Sequence, residues 1–124
     1  MALALSPIEA EQIRDLRARL NRVPAGSLGD KSVGPLSKGF FVVCGRVGLA
    51  PQAGGEGFAS VAELKTAIAE ADLIRLKQIV GRLQGLQAQD FKIWRTLFNH
   101  GVLQAVLTRR MILGGREQPV EASS

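Results

Sequence analysis

Residues that could catalyse a reaction are scarce in this sequence. His100 is its one histidine and Cys44 its one cysteine, whereas a zinc site needs a cluster of such ligands. Glu11 and Asp15 are carboxylates four residues apart, but they stand among arginines that can pair with them, and Asp15 is four residues before Arg19, a spacing that favours a salt bridge along a helix. Serine-nucleophile, kinase and zinc-protease motifs are absent. We therefore predict a non-enzymatic protein without cofactor or metal, in which Cys44 is a small buried apolar residue.

A glycine-rich stretch at residues 45–57 raises the question of phosphate binding. Its sequence, GRVGLAPQAGGEG, lacks the Gly-Lys-Ser/Thr ending of a Walker loop. It also lacks the Gly-x-Gly-x-x-Gly spacing with which a dinucleotide fold brings backbone N–H groups to a pyrophosphate. Nucleotide binding is therefore the weaker interpretation of this stretch.

The longer segment 24–59 predicts a Gly/Pro-rich arm with one extended piece. It holds nine Gly and three Pro in 36 positions. Within it FFVVC, residues 40–44, is aromatic and β-branched between two glycines, which favours a short β strand or hairpin. A lone strand leaves its backbone groups unpaired, and a continuous apolar run indicates that both faces are covered. We therefore interpret the arm as an assembly device that pairs with another copy of the chain.

The formal net charge of +5 is concentrated near the C-terminus. Residues 91–113 carry four basic residues and no acidic one, which is typical of a surface that meets nucleic acid or an acidic partner. Arg75, Gln78 and Arg82 form a second row at helical spacing, which either follows a phosphate backbone or is simply solvated. The candidate phosphate contacts are Arg75, Arg82, Lys92, Arg95, Arg109 and Arg110.

Helices must position most of these residues, because apolar side chains recur at spacings of three and four. The predicted helices lie near residues 7–22, 61–70, 73–86 and 91–113. Their predicted N-caps are Ser6, Ser60, Asp72 and Asp90. Gly114 is the expected end of the last helix and leaves 114–124 as a C-terminal tail. The sequence thus predicts one mainly α domain over 1–124, a small bundle of about four helices with a Gly/Pro-rich connection.

The helix junctions do not fit a helix-turn-helix reader of DNA. Glu70 stands before the first junction, and His100 precedes Gly101 in the last predicted helix, at positions where that motif has apolar residues. Packed helical hairpins are the preferred interpretation. Gly81 and Gly85 lie four apart within the third helix, which predicts the close approach of another backbone.

The last predicted helix is apolar on nearly all sides, which is typical of a central helix covered from several directions. Trp94 lies in its broad apolar arc and is predicted to be buried, and Lys92, Asn99 and Arg110 are its predicted exposed edge. With few other helices to cover it, we predict that this helix and the arm form a subunit interface. The candidate interface residues are Phe40, Phe41, Val42, Val43, Trp94, Phe98 and Val102.

Two functional hypotheses follow. The first is a structural or adaptor subunit of a larger homo-oligomeric assembly, such as a virus or phage particle, whose partners are itself and other protein subunits. The alternative is a small basic nucleic-acid-binding protein that contacts phosphates through its C-terminal helices. No apolar stretch reaches the ~18 residues of a membrane span, and MALALS is too short and uncharged for a signal peptide. We therefore expect no membrane partner and a location in the cytoplasm or in the particle.

Overall fold

Helices make up most of the residues that this computed structural model describes, namely 4–22, 30–53 and 58–115. They are α1 (Pro7–Asn21), α2 (Asp30–Arg46), α3 (Val61–Glu70), α4 (Leu73–Gln89), α5 (Phe91–Asn99) and α6 (Val102–Leu113). None of the described residues is in a β strand. The prediction of a mainly helical protein is confirmed, whereas the predictions of four helices and of a β strand or hairpin are wrong.

Side-chain caps begin the helices where the sequence predicts them. Ser6 and Glu9 form a complete capping box, since Ser6 Oγ accepts from the Glu9 N–H at 3.2 Å and Glu9 Oε1 accepts from the Ser6 N–H at 2.9 Å. Hydrogen bonding of the Glu9 carboxylate to Ser6, chiefly to its backbone N–H, lowers the pKa of Glu9. Three other caps each accept a hydrogen bond from the backbone N–H three residues later: Ser60 for α3, Asp72 for α4 and Asp90 for α5.

The FFVVC segment, predicted as a strand, lies inside α2. Its buried residues, Phe40 and Cys44, lie four residues apart on one helical face, and both are 0% exposed, as is Val47 directly after α2. Val42 is 47% exposed, so the apolar run is not covered on both sides. Five residues are too few to separate a strand from a helix by periodicity, and Ser37, which extends the buried face, is polar. Packing against α1 and α4 outweighs the strand propensity of the valines.

The arm is therefore not one irregular connection, because α2 occupies residues 30–46. Residues 24–29 and 54–57 of the predicted arm lie outside the described residues, as do residues 116–124 of the predicted tail.

The last predicted helix is two helices. Gly101 takes a left-handed conformation with φ 76°, and His100 is the C-cap of α5. A glycine in this conformation ends a helix without the steric cost that a side chain would add. The sequence prediction placed Gly101 inside a continuous helix because the apolar residues on either side keep the helical spacing.

Helix α6 is the centre of the fold and contacts α1, α3, α4 and α5. Its apolar side chains on several sides are buried: Val102, Leu103, Val106, Leu107 and Met111 are all 0% exposed. The prediction of a central last helix is thus confirmed for α6. The cover of α6 comes from α1, α3, α4 and α5 of the same chain, and α5 is separate from α6 because the last predicted helix is divided.

The segment after α2 passes directly over α4. The Gln52 N–H donates to Lys77 O at 3.2 Å. A Cβ atom at Gly81 would overlap the Gln52 carbonyl oxygen, so this crossing requires glycine at that position. The predicted close approach of a backbone is confirmed at Gly81, whereas a Cβ at Gly85 would meet no atom within 4 Å. Among the described helices, none is both long and apolar enough to cross a membrane.

Candidate functional site

Most of the predicted interface residues lie in the core of the chain itself. Phe40, Trp94 and Val102 are 0% exposed and Phe98 is 5% exposed. Phe41 and Val43 are half-buried, and Val42 is the exposed member of the set. The seven residues therefore do not share one exposed surface.

The burial of Trp94 confirms the prediction made for it, and its neighbours come from α2. The indole Nε1–H donates to Ser37 Oγ at 2.7 Å in the interior. The Phe41 ring stacks on the indole with a centroid distance of 5.6 Å, and it meets the Phe40 ring edge to face at 5.2 Å. These contacts explain why the predicted arm and the predicted last helix share interface candidates: they pack on each other within the chain.

Two of the candidate phosphate contacts each donate a hydrogen bond to a backbone carbonyl. Arg110 is 1% exposed, and its Nε–H donates to Val47 O at 2.7 Å. Burial lowers the pKa of Arg110, and the carboxylate of Glu9 partly opposes this effect. The prediction that Arg110 lies on an exposed edge is wrong, because its position faces the segment after α2. Arg109 is partly buried, and its Nε–H donates to Ala71 O at 2.8 Å.

Two of the remaining four basic candidates are accessible. Arg82 and Lys92 are exposed, and Arg75 and Arg95 are half-buried. The six candidate phosphate contacts therefore do not form one basic surface, but Arg82 and Lys92 are open to a partner.

Cys44 and His100, the residues with the most reactive side chains, lie in different parts of the fold. Cys44 is 0% exposed, and burial raises the pKa of its thiol, which is the state of an unreactive apolar cysteine. His100 lies at the exposed junction of α5 and α6. The prediction of Cys44 as a buried apolar residue is confirmed.

Among the grooves of the described residues, one lies between the start of α3, the middle of α4 and α5, and we name it the α3/α4/α5 groove. It has a volume of about 370 Å³, and Arg82, Thr96, Ala59 and Ser60 also line it. Its larger apolar lining residues are Phe58, Val61, Leu64, Leu86, Ile93 and Leu97. Ile93 on its α5 side is 45% exposed although it is a large apolar residue.

A second groove lies between α3 and α6, and we name it the α3/α6 groove. It has a volume of about 440 Å³. Its polar lining residues are Lys65, Gln104, Thr108 and Arg109, and the others are Ile68, Ala69, Gly101, Ala105 and Ile112. Gln104 Oε1 is buried without a hydrogen-bond partner among the described residues.

Sequence reasoning did not find either groove. Phe58 precedes α3, Leu86 lies on α4 and Ile93 on α5, and no spacing in the sequence relates them. Lys65 on α3 was not associated with Arg109 on α6 for the same reason. One local feature of the sequence could have indicated the α3/α4/α5 groove. Ile93 is an apolar residue in the first turn of α5, but it lies outside the buried face that contains Trp94 and Leu97.

No family model, curated protein or solved structure matches this chain. The geometry of the two grooves is therefore the basis for a functional proposal.

Proposed function

We propose that the protein is a non-enzymatic structural or adaptor subunit that assembles with copies of itself through the α3/α4/α5 groove. The observation that carries this proposal is Ile93, 45% exposed at the side of an apolar groove of about 370 Å³. A two-fold interface requires a surface that is complementary to itself. A protruding apolar side chain beside an apolar groove meets this requirement, because Ile93 of each copy can enter the groove of the other.

The apolar area around the groove supports the same interpretation. Phe58, Val61 and Leu86 are only partly buried in the chain, although they pack against its core. Burying a large apolar side chain completely contributes about 1.5–3 kcal/mol, so a second copy that covers these residues and Ile93 gains free energy from each. Because the FFVVC segment of the predicted arm is helical, the arm does not supply a strand for pairing. We therefore place the proposed interface at this groove and not at α2.

The assembly is tested by measuring the mass of Ile93→Asp in solution by size-exclusion chromatography with light scattering. We expect the wild type to be an oligomer and the variant to be a monomer with unchanged helical circular dichroism. Ile93 is exposed in the first turn of α5, where aspartate interacts favourably with the helix dipole, so the substitution leaves the fold intact.

Ile8→Asp is the matched control. Ile8 is 71% exposed and also lies in the first turn of its helix, α1, away from the groove. This control variant is expected to keep the wild-type mass. A monomeric wild type across micromolar concentrations, or an Ile93→Asp variant with the wild-type mass, contradicts the proposed interface.

A nucleic-acid-binding role is the second candidate, favoured by the exposure of Arg82 and Lys92 in a chain of net charge +5. Phosphate contacts carry no sequence information. Replacing Arg82 and Lys92 with alanine is therefore expected to weaken binding to all sequences equally and to reduce its salt dependence. Absence of binding by the wild type at low salt, measured after nuclease treatment, removes this candidate.

A further inference from the structure

The α3/α6 groove carries positive charge from both of its walls. Lys65 comes from α3 and Arg109 from α6, and none of the nine lining residues is acidic. Lys65 is exposed and forms no ion pair with a described residue. Two cations in a concave surface without a carboxylate favour an anionic ligand, because the charges otherwise repel each other.

Arg109 is held in position to meet such a ligand. Its Nε–H donates to Ala71 O at 2.8 Å, and the side chain is partly buried. A guanidinium has five N–H donors, and this hydrogen bond uses one of them. No other partner of Arg109 occurs among the described residues. The fixed Nε therefore orients the remaining donors, which suit the oxygens of a carboxylate or a phosphate.

Apart from the uncharged polar residues Gln104 and Thr108, the rest of the groove is lined by glycine and aliphatic residues. Ile68 is 1% exposed, whereas Ala105 and Ile112 are half-buried. None of the nine lining residues is aromatic, so the groove has no ring on which a nucleic-acid base could stack. Small and branched aliphatic side chains instead offer the apolar contact that a hydrocarbon chain requires.

We propose that the α3/α6 groove binds an anionic amphiphile. The carboxylate or phosphate head lies between Lys65 and Arg109, and the aliphatic chain follows Ile68, Ala105 and Ile112. This proposal is independent of the assembly, since its residues belong to a different groove. The failure of either proposal leaves the other in place.

Isothermal titration of the wild-type protein with dodecanoate and with dodecyl phosphate, each below its micelle concentration, tests the site. The two ligands distinguish a carboxylate head from a phosphate head. We expect saturable binding of one ligand per chain for at least one of them, and circular dichroism that stays unchanged on binding. Dodecyltrimethylammonium, which has the same chain and the opposite charge, is expected not to bind.

Lys65→Glu is expected to weaken the binding at least tenfold, because a repulsive charge replaces an attractive one, and about 1.4 kcal/mol corresponds to a tenfold change. Arg109 is kept in this variant because it also holds Ala71 O. Lys38→Glu makes the same charge change on the exposed face of α2 and is expected to leave the affinity unchanged. Equal binding of the cationic amphiphile, equal binding of inorganic phosphate alone, or unaltered affinity in Lys65→Glu overturns the proposal.

Discussion

Single polar contacts fix how distant parts of this chain meet. Trp94 Nε1 donates to Ser37 Oγ, and Arg110 Nε donates to Val47 O, each at 2.7 Å. A buried donor or acceptor without a partner costs about 1–3 kcal/mol. Because both donors are buried, other arrangements of α2 on α5 and α6 lose these hydrogen bonds and are disfavoured. Arg110 differs from the accessible basic residues because its charged side chain is buried in the interior.

A further residue-scale constraint is the lack of space at Gly81. Gly81→Ala would place a Cβ against the carbonyl oxygen of Gln52, and the Gln52 N and C atoms would lie 3.0 Å from it. Backbone atoms cannot move aside as a flexible side chain does, so we expect the free energy of unfolding to fall by about 1–3 kcal/mol, the usual cost of overpacking. Urea denaturation monitored by circular dichroism measures this change.

Gly85→Ala is the matched control, one turn further along α4. A Cβ there meets no atom within 4 Å, and alanine is favoured over glycine in a helix by about 0.8–1.0 kcal/mol. The two variants should therefore change stability in opposite directions. A Gly81→Ala protein as stable as Gly85→Ala would mean that the segment around Gln52 does not cross α4 as described.

At the scale of elements, α2 is the feature that most changes the interpretation of the sequence. Ser37, Phe40 and Cys44 lie on the buried face of the helix, while Lys38 and Val42 face outwards. The helix contains three glycines: Gly34, Gly39 and Gly45. Their helical conformation is maintained by packing, because glycine itself disfavours a helix.

This assignment predicts that Gly39→Ala and Gly45→Ala each stabilise the protein. A Cβ at either position meets no atom within 4 Å, so the gain in helix propensity, about 0.5–1 kcal/mol for each, has no steric cost. The melting temperature should rise, with helical ellipticity retained. A loss of stability in both variants would contradict a helix at residues 30–46, since alanine has no such advantage in an extended segment.

At the scale of the whole molecule, the net charge of +5 opposes self-association. Bringing two copies together through the α3/α4/α5 groove therefore combines apolar attraction with repulsion between like charges. Arg82 lines this groove, so two cations approach each other when two copies pair.

Salt should consequently strengthen the proposed assembly. Raising sodium chloride from 50 to 500 mM shortens the Debye length from roughly 14 Å to about 4 Å and screens this repulsion. Sedimentation equilibrium at the two salt concentrations should show tighter association at the higher one. Dissociation at high salt would instead indicate that attraction between opposite charges holds the assembly together, as it does in a complex with nucleic acid.

The sequence by itself determined the features that depend on neighbours along the chain. Ser6 with Glu9, and the capping residue Asp72, predict the starts of α1 and α4 because a cap and its N–H donor are three residues apart. The long apolar patterns likewise predict α1, α3 and α4, and the buried position of Trp94. Such local preferences act before any tertiary contact is made.

Only the tertiary structure decided what covers each apolar face. FFVVC is compatible with a strand or a helix, and packing on α1 and α4 selects the helix. Both sides of Gly101 continue one helical pattern, and its left-handed backbone ends α5 so that α6 can lie at the centre. The grooves that carry the functional proposals combine residues far apart in sequence, such as Lys65 and Arg109. Their proximity arises from long-range packing, which a one-dimensional spacing cannot encode.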